Sequence, residues 1–258
     1  MPAETLQTLS DASHMAMANA SPLESEALQR VHQEMLASGW FTRVEQVRRT
    51  AANEITVTAE FRTPFAMVRW NDEDHLIDSQ GRRLPMVYTG TSERPRLPLI
   101  LGVGMPKPAE TGAIWLGADL RAALNLTMLL RDRVWFANGQ VKAIDTARYA
   151  SEGIVELVTD RDTRIVWGGD PNDRSLGEMP ADRKLMALDA MYQMSKRVDN
   201  GSARTIDIRF DVVTLAPAPP SSSSMAARVW LSATFSSCAM RWLIEIMSRP
   251  LSCRGPGF

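Results

Sequence analysis

The stretch EITVTAEF, residues 54–61, decides how the first part of this chain folds. Four apolar residues alternate in it with glutamate and threonine: Ile55, Val57, Ala59 and Phe61. Successive side chains of a strand point to opposite faces, so strict alternation is typical of a strand with one buried face. The stretch therefore predicts a half-buried strand in a sheet that has one covered and one solvated face.

A helix is predicted before this strand. The segment 21–24, Ser-Pro-Leu-Glu, fits an N-cap with proline at the first helical position. Leu28, Val31 and Met35 then keep the spacing of one helix face. Gly39 stands where a C-cap glycine would end the helix.

More short strands are predicted on the other side of residues 54–61. Residues 65–70 and 75–78 are rich in apolar side chains, and an acidic turn at 71–74 separates them. Ser-Gln-Gly at 79–81 is typical of a further turn. Before residues 54–61, a strand rich in arginine is predicted around Val44 and Val47. The first block of the chain is therefore expected to be a helix followed by four strands.

The second block, residues 85–213, mixes helices with strands. It begins with a proline-rich connection, and its apolar spacing predicts helices at 117–130 and 180–198. Five strands are predicted, at 99–103, 141–145, 153–158, 163–167 and 205–210. Because Asp-Arg-Asp at 160–162 is typical of a hairpin turn, the sheet is expected to be predominantly antiparallel. The predicted fold class is α+β, with a mixed α/β second domain.

The two ends of the chain differ in amino-acid composition from these blocks. Residues 1–20 are small and polar, which predicts a flexible or frayed helical start, and they carry no secretory signal pattern. The tract 214–258 opens with proline and serine and is expected to be a linker followed by an atypical tail. No run reaches the roughly 18 apolar residues that a membrane-spanning helix needs, so the chain by itself is expected to be soluble.

Composition excludes several classes of protein. The 258 residues include 29 Lys plus Arg and 30 Asp plus Glu, a formal net charge of −1. A protein that mainly grips nucleic acid needs a surplus of basic residues, so no nucleic-acid partner is expected. Cys238 and Cys253 are the two cysteines, which excludes a disulfide-stapled fold and a cysteine-based zinc site.

One acidic cluster with a histidine invites a catalytic or metal-binding interpretation: Asp72, Glu73, Asp74, His75 and Asp78. A solvated turn between two strands explains the same residues, and no second cluster of acids and histidines completes a site. We therefore predict no enzyme, no catalytic residue, no metal site and no cofactor. A hydrolase that uses Asp72, Asp74 and His75 remains the enzymatic alternative.

Five segments follow one another within about residues 21–213: GWFTRVEQVRR (39–49), EITVTAEFRTPFA (54–66), LIDSQG (76–81), Lys184-Leu185 and IDIRF (206–210). In this order they resemble the FtsQ/DivIB family of bacterial cell-division proteins. The family shows a helix that ends near a tryptophan, then a V-x-x-V-x-R strand, a V-x-V-x-E-R-x-P-x-A strand and an Asp-x-x-Gly turn. Its closing part is a helix followed by a strand of the type h-D-h-R, where h is hydrophobic.

The resemblance implies a POTRA-like domain at 21–84, in which the first strand is expected to be missing, and an FtsQ-type β domain at 85–213. It also implies a non-enzymatic scaffold of the divisome that binds FtsB- and FtsL-like membrane proteins during septum formation. Family members carry a short cytoplasmic tail and one membrane span before these domains. We therefore expect a chain truncated at its N-terminus whose full form is anchored at the extracytoplasmic face of the inner membrane.

The expected mechanism of this scaffold is strand addition. An end strand leaves one row of N–H and C=O groups unpaired, and an extended peptide of a partner can pair with that row. By resemblance, the residues that bind the partner are Tyr192, Thr205, Ile206, Asp207, Ile208, Arg209 and Phe210. Ordinary core and surface packing is the competing explanation for these residues. A POTRA-bearing protein of secretion or outer-membrane assembly is the alternative function.

Overall fold

The structure is a computed structural model, and the residues that it describes are 25–51, 54–90, 94–173, 177–200, 205–210, 214–216, 230–232 and 243–245. The predicted start at 1–20, the N-cap at 21–24 and most of the tail at 214–258 lie outside these residues. The chain divides into two compact units, Met1–Leu124 and Asn125–Phe258.

The described helices are α1 (Ser25–Ala37), α2 (Ala118–Leu130), α3 (Val134–Ala137), α4 (Tyr149–Glu152) and α5 (Ala181–Ser195). The described strands are β1 (Phe41–Ala51), β2 (Glu54–Phe61), β3 (Ala66–Trp70), β4 (Glu73–Ile77), β5 (Arg83–Thr89), β6 (Leu99–Leu101), β7 (Val141–Asp145), β8 (Val155–Thr159), β9 (Arg164–Gly168), β10 (Thr205–Asp207), β11 (Thr214–Ala216), β12 (Trp230–Ser232) and β13 (Leu243–Glu245). Strands β12 and β13 form an antiparallel pair of their own.

The first unit combines a hairpin with a four-stranded arrangement. Strands β1 and β2 pair in antiparallel register, and β6-β3-β4-β5 follow one another with β3 parallel to β6. Val31 of α1, Val44 of β1 and Met67 of β3 share one hydrophobic core. The helix ends as predicted, because Gly39 has a φ of 79° and its N–H donates to the carbonyl of Leu36 at 3.2 Å.

The turn after β4 is built around one buried carboxylate. Oδ1 of Asp78 accepts hydrogen bonds from the backbone N–H groups of Gln80 and Arg82, both at 2.9 Å. Its Oδ2 accepts a third from Nη1 of Arg62 at 3.0 Å. Gly81 has a φ of 77°, a conformation that favours glycine. The Asp-x-x-Gly pattern therefore encodes the turn that carries the chain from β4 into β5.

Strand β5 was not predicted, because Pro85 suggests a connection rather than a strand. Proline is tolerated in a strand at the edge of a sheet, where its missing N–H breaks no ladder. The structure places β5 at the end of the order β6-β3-β4-β5. Leu84 is buried and Val87 is exposed, as expected of a strand with one covered face.

The second unit carries strands in the order β11-β10-β9-β8-β7. All neighbouring pairs in it are antiparallel except β9 and β10, which are parallel. Helix α5 lies between these two strands in the sequence, as a parallel connection requires. Ile144, Leu157, Ile165 and Ile206 are fully buried side chains of four successive strands.

The α+β fold class is confirmed. Helices accompany a mixed sheet whose strands are mostly antiparallel, as the sequence predicted. Within the part of the chain that the structure describes, no helix combines the length and the apolar character needed to cross a bilayer.

Candidate partner-binding surface

The strand predicted at 205–210 is shorter than expected and has neighbours on both sides. Strand β10 covers Thr205–Asp207, and it pairs with β9 on one side and with β11 on the other. The expectation that this strand keeps an open backbone edge is therefore wrong, because Thr214–Ala216 folds back and occupies that edge. Thr205 and Asp207 themselves are half-buried.

Strand β10 ends early because the Asp207 carboxylate binds the residues that follow. Its Oδ1 accepts a hydrogen bond from the backbone N–H of Arg209 at 3.0 Å, and its Oδ2 accepts one from Arg209 Nη2 at 2.8 Å. Such local bonds from side chain to backbone compete with strand pairing. The hydrogen bonds to Asp207 also raise the pKa of Arg209, which keeps the guanidinium charged.

Side chains on either side of Asp207 in the sequence divide into a buried and an exposed group. Ile206 and Ile208 are fully buried, so they belong to the core and offer no side-chain surface to a partner. Phe210 is 47% exposed, and the Arg209 guanidinium lies 5.1 Å from the centroid of its ring. Arginine and aromatic side chains are both enriched in the cores of protein interfaces.

Tyr192 lies on α5, half-buried. Its carbonyl accepts a hydrogen bond from the N–H of Lys196 at 2.7 Å, and Lys196 Nζ lies 6.0 Å from the centroid of its ring. Among the described residues, no hydrogen bond or ring contact joins Tyr192 to β10. The structure therefore does not bring Tyr192 together with the other predicted partner-binding residues through such contacts.

Helix α5 carries an exposed apolar stripe that the sequence analysis missed. Met186 and Met194 are 63% and 62% exposed, and half-buried Ala190 lies between them. Residues spaced by four lie on one side of a helix. The signal was present in the sequence, since Leu185 and Leu188 define the buried side and leave this spacing facing outward.

Ion pairs tie together neighbouring strands of the second unit. Glu156, whose side chain is 6% exposed, accepts hydrogen bonds from Arg148 Nη1 at 2.6 Å and from Arg164 Nη1 at 2.7 Å. Arg164 also donates to Asp145 at 2.9 Å, and these bonds raise its pKa. The buried carboxylate is thus compensated by two guanidinium groups, which is the condition for burying a charge without a large penalty.

The acidic cluster of the first unit holds its members in separate environments. Asp74 is 1% exposed, and Nε and Nη2 of Arg69 donate to its carboxylate at 2.8 and 3.1 Å. Arg94 Nη1 lies 2.5 Å from the same carboxylate. Asp72 lies in the turn between β3 and β4 with a φ of 61°. The Asp74 carboxylate therefore forms ion pairs with two arginines.

His75 is fully buried beside Trp115, with the two ring centroids 6.0 Å apart. Its Nε2 lies 3.3 Å from Glu73 Oε2, but neither ring nitrogen makes a hydrogen bond with good geometry. Burial lowers the pKa of His75, and the positive charge of Lys107 acts in the same direction. The imidazole is therefore neutral at neutral pH.

This geometry does not support an acid–base pair of Asp74 and His75. Neighbours on a strand point to opposite faces, and the two side chains have different partners. In the described parts of the chain, no group of three or more His, Cys, Asp or Glu residues is arranged to hold a metal ion.

No family model matches the chain, and no curated protein matches it either. Its function is therefore inferred from its own residues. The features that offer surface to a partner are the end strand β11, the Arg209–Phe210 pair and the apolar stripe on α5.

Proposed function

We propose that this chain is a non-enzymatic scaffold of the bacterial divisome, of the FtsQ/DivIB type. In this role it binds FtsB- and FtsL-like proteins at the extracytoplasmic face of the inner membrane. The observation that carries the proposal is the place of β11, which is the end strand of the order in the second unit.

The docking edge proposed here belongs to β11 and not to β10. Among the described strands, none is hydrogen-bonded to the outer side of Thr214–Ala216, although β12 contacts β11 without pairing with it. Backbone N–H and C=O groups alternate between the two sides of a strand, so an end strand offers half of them to an incoming chain. A partner peptide pairing there would extend the order β11-β10-β9 by one strand.

Phe210 supports this location. It lies four positions before β11 in the sequence, and it is a large aromatic side chain that stays half exposed. Backbone pairing gives affinity with little sequence preference, whereas side-chain contacts next to the edge give specificity. The stacked Arg209–Phe210 pair is suited to supply such contacts.

A proline scan of β11 tests the docking edge. Because N–H groups alternate in direction, Leu215→Pro removes an N–H on one side of the strand, and Thr214→Pro and Ala216→Pro each remove one on the other side. The substitutions that remove an N–H facing β10 break the pairing of β10 with β11, so they are expected to lower thermal stability. The substitutions that remove an N–H on the outer side are expected to leave folding intact and to abolish capture of the partner.

The assay is a pull-down of FtsB- and FtsL-like membrane proteins by the protein, with thermal unfolding of each variant as the control for folding. Phe210→Ala is expected to weaken capture without a change in unfolding temperature. Failure of the wild-type protein to recover either partner would refute the divisome role. Recovery of outer-membrane assembly proteins instead would favour a secretion role.

A further inference from the structure

His75 in the first unit is a buried titratable side chain that the proposed function does not use. It is fully buried, and neither of its ring nitrogens makes a hydrogen bond among the described residues. A buried polar group without a partner carries a free-energy penalty, so such groups in folded proteins call for an explanation. The charges and the chain segment around the imidazole supply one.

Two cations and one carboxylate act on the imidazole of His75. Glu73 Oε2 lies 3.3 Å from Nε2, and Lys107 Nζ lies 3.8 Å from the same carboxylate oxygen. Burial lowers the pKa of His75 most, and Lys107 and Arg83 lower it further through their positive charges. Glu73 acts in the opposite direction. The buried ring is therefore kept neutral by its surroundings.

The other titratable groups beside His75 are paired or neutral. Asp74, its neighbour on β4, favours a proton on the ring, but the Asp74 carboxylate forms ion pairs with Arg69 of β3 and with Arg94. Tyr88 of β5 pairs with Asp74 across the sheet, and burial raises the pKa of its hydroxyl, so it stays neutral. A proton on the buried imidazole gains little from these groups.

The segment 102–117 lies against His75, and we call it the strap. It joins β6 to α2 and contains no helix or strand. The ring centroid of its Trp115 lies 6.0 Å from that of His75, and its Lys107 is the cation beside Glu73. Val103 and Trp115 are the only buried residues of the strap. A segment with so few buried side chains opens at a lower free-energy cost than the core of the unit.

Glycines mark both ends of the strap. Gly102 has a φ of 73° and Gly117 a φ of 149°, and small residues in such positions can absorb the backbone change of a hinge. Between them the strap is bonded to the start of β5. The N–H of Gly112 donates to the carbonyl of Arg83 at 2.7 Å, and the N–H of Arg83 donates to the carbonyl of Ala113 at 3.0 Å. The closed strap therefore covers the start of the outer edge of β5.

We propose that the strap stays closed over His75 while the imidazole is neutral and opens when the imidazole takes up a proton. Beneath the closed strap an imidazolium lacks hydration and is repelled by Lys107 and Arg83, whereas water solvates it in the open state. Acid therefore shifts the population toward the open state. Opening uncovers Trp115 and the start of the β5 edge. This acid-sensitive device goes beyond strand addition at β11, and it does not depend on a role in cell division.

Hydrogen exchange of the full chain, followed by NMR from about pH 7.5 to about pH 5, tests the strap. The reporters are the backbone N–H groups of Gly112 and Trp115, which donate to β5 and to the turn before it. The reference is the N–H of Met67, a buried residue of β3. After correction for the intrinsic pH dependence of exchange, protection of both reporters is expected to fall by up to about tenfold per pH unit below about pH 6.5, because opening takes up one proton. Met67 is expected to be better protected than the reporters at every pH.

Variants identify the group that takes up the proton. His75→Gln cannot titrate and is expected to remove the pH dependence at both reporters. Lys107→Met removes the cation beside Glu73, which eases protonation in the closed state, so the loss of protection in acid is expected to be smaller. Lys107 is half-buried, so this variant is expected to fold even if His75→Gln does not. Arg43→Met also removes one positive charge from the first unit, but its side chain is 61% exposed on β1, and it is expected to behave as the wild type.

The outcomes separate a hinged strap from other responses to acid. Protection of the reporters that stays constant with pH, or a loss that persists unchanged in His75→Gln, overturns the proposal. An equal loss in Lys107→Met and Arg43→Met does the same. Equal protection of the reporters and of Met67 shows that the first unit opens only as a whole, which overturns the strap as a separate device. Since no partner protein is present, each of these results leaves the strand-edge proposal standing.

Discussion

Asp78→Ala removes three hydrogen bonds from the turn after β4. Two are backbone N–H groups that would lose their acceptor, and the third is the ion pair with Arg62 at 3.0 Å. The side chains of Asp78 and Arg62 are 8% and 13% exposed. Nε of Arg62 is buried without a hydrogen-bond partner already, so the guanidinium depends on this carboxylate.

Breaking a buried ion pair by removing one partner lowers stability by about 3–5 kcal/mol, because a charge is left uncompensated. With a urea m value of about 1–3 kcal/mol/M, the unfolding midpoint of the first unit is expected to fall by more than about 1 M. Hydrogen exchange at increasing urea, followed on peptides from residues 62–84, measures this unit by itself. Asp78→Asn keeps an acceptor oxygen for the backbone and is expected to lose less than Asp78→Ala.

Glu60→Ala is the matched control for this experiment, because it lies in the same unit. Its side chain is 60% exposed and lies 3.2 Å from Arg43, so its loss is expected to change stability by less than about 0.5 kcal/mol. If Asp78→Ala shifted its midpoint as little as the control does, the turn would not depend on the carboxylate. The interpretation of the Asp-x-x-Gly pattern as a structural device would then fail.

Three further predictions concern stability. Gly39→Ala is expected to lower the free energy of unfolding by at least about 1 kcal/mol, because φ is 79° and the new Cβ would overlap Thr111 Cγ2; chemical denaturation measures it. The lowered pKa of His75 means that the unfolded chain binds more protons between that pKa and the ordinary value of 6.5, so stability is expected to fall as the pH falls through this window, and His75→Gln is expected to flatten that part of a pH–stability profile. Arg164→Met is expected to lower stability by about 1 kcal/mol by thermal unfolding, a modest loss because half of its side chain is exposed and Glu156 keeps its bond to Arg148.

Local sequence patterns predicted the strands whose pairing is local. The alternation at 54–61 gave β2, and a turn joins β3 to β4 where the acidic stretch predicted one, but it covers only residues 71–72, since Glu73 and Asp74 already pair with β3. The Asp-Arg-Asp turn at 160–162 likewise joins β8 to β9. Each of these elements depends on residues within a few positions of itself, which is the range over which side-chain periodicity and turn chemistry act.

What the sequence did not reveal depends on distant parts of the chain. Strand β5 was missed because it contains Pro85. Proline is tolerated in a strand only at the edge of a sheet, and the sequence does not show which strand lies there. The end strand β11 was also missed. The alternation within 205–210 predicts a strand but does not indicate which strands pair with it, and β11 pairs with β10. His75 was expected in a solvated turn but is fully buried, because it lies within strand β4 and the buried ring of Trp115 packs against it.

The parallel pairing of β9 with β10 has a consequence for how the second unit assembles. Arg164 pairs with Thr205, so the chain segment between them, which contains helix α5, has to close into a loop before this contact can form. Contacts between residues far apart in sequence close large loops and slow the crossing of the folding barrier. The hairpin of β8 and β9 can nucleate early, whereas β10 is expected to join late during refolding. Until β10 pairs, one backbone edge of β9 stays unpaired, and a second copy of the chain can pair with that edge and aggregate.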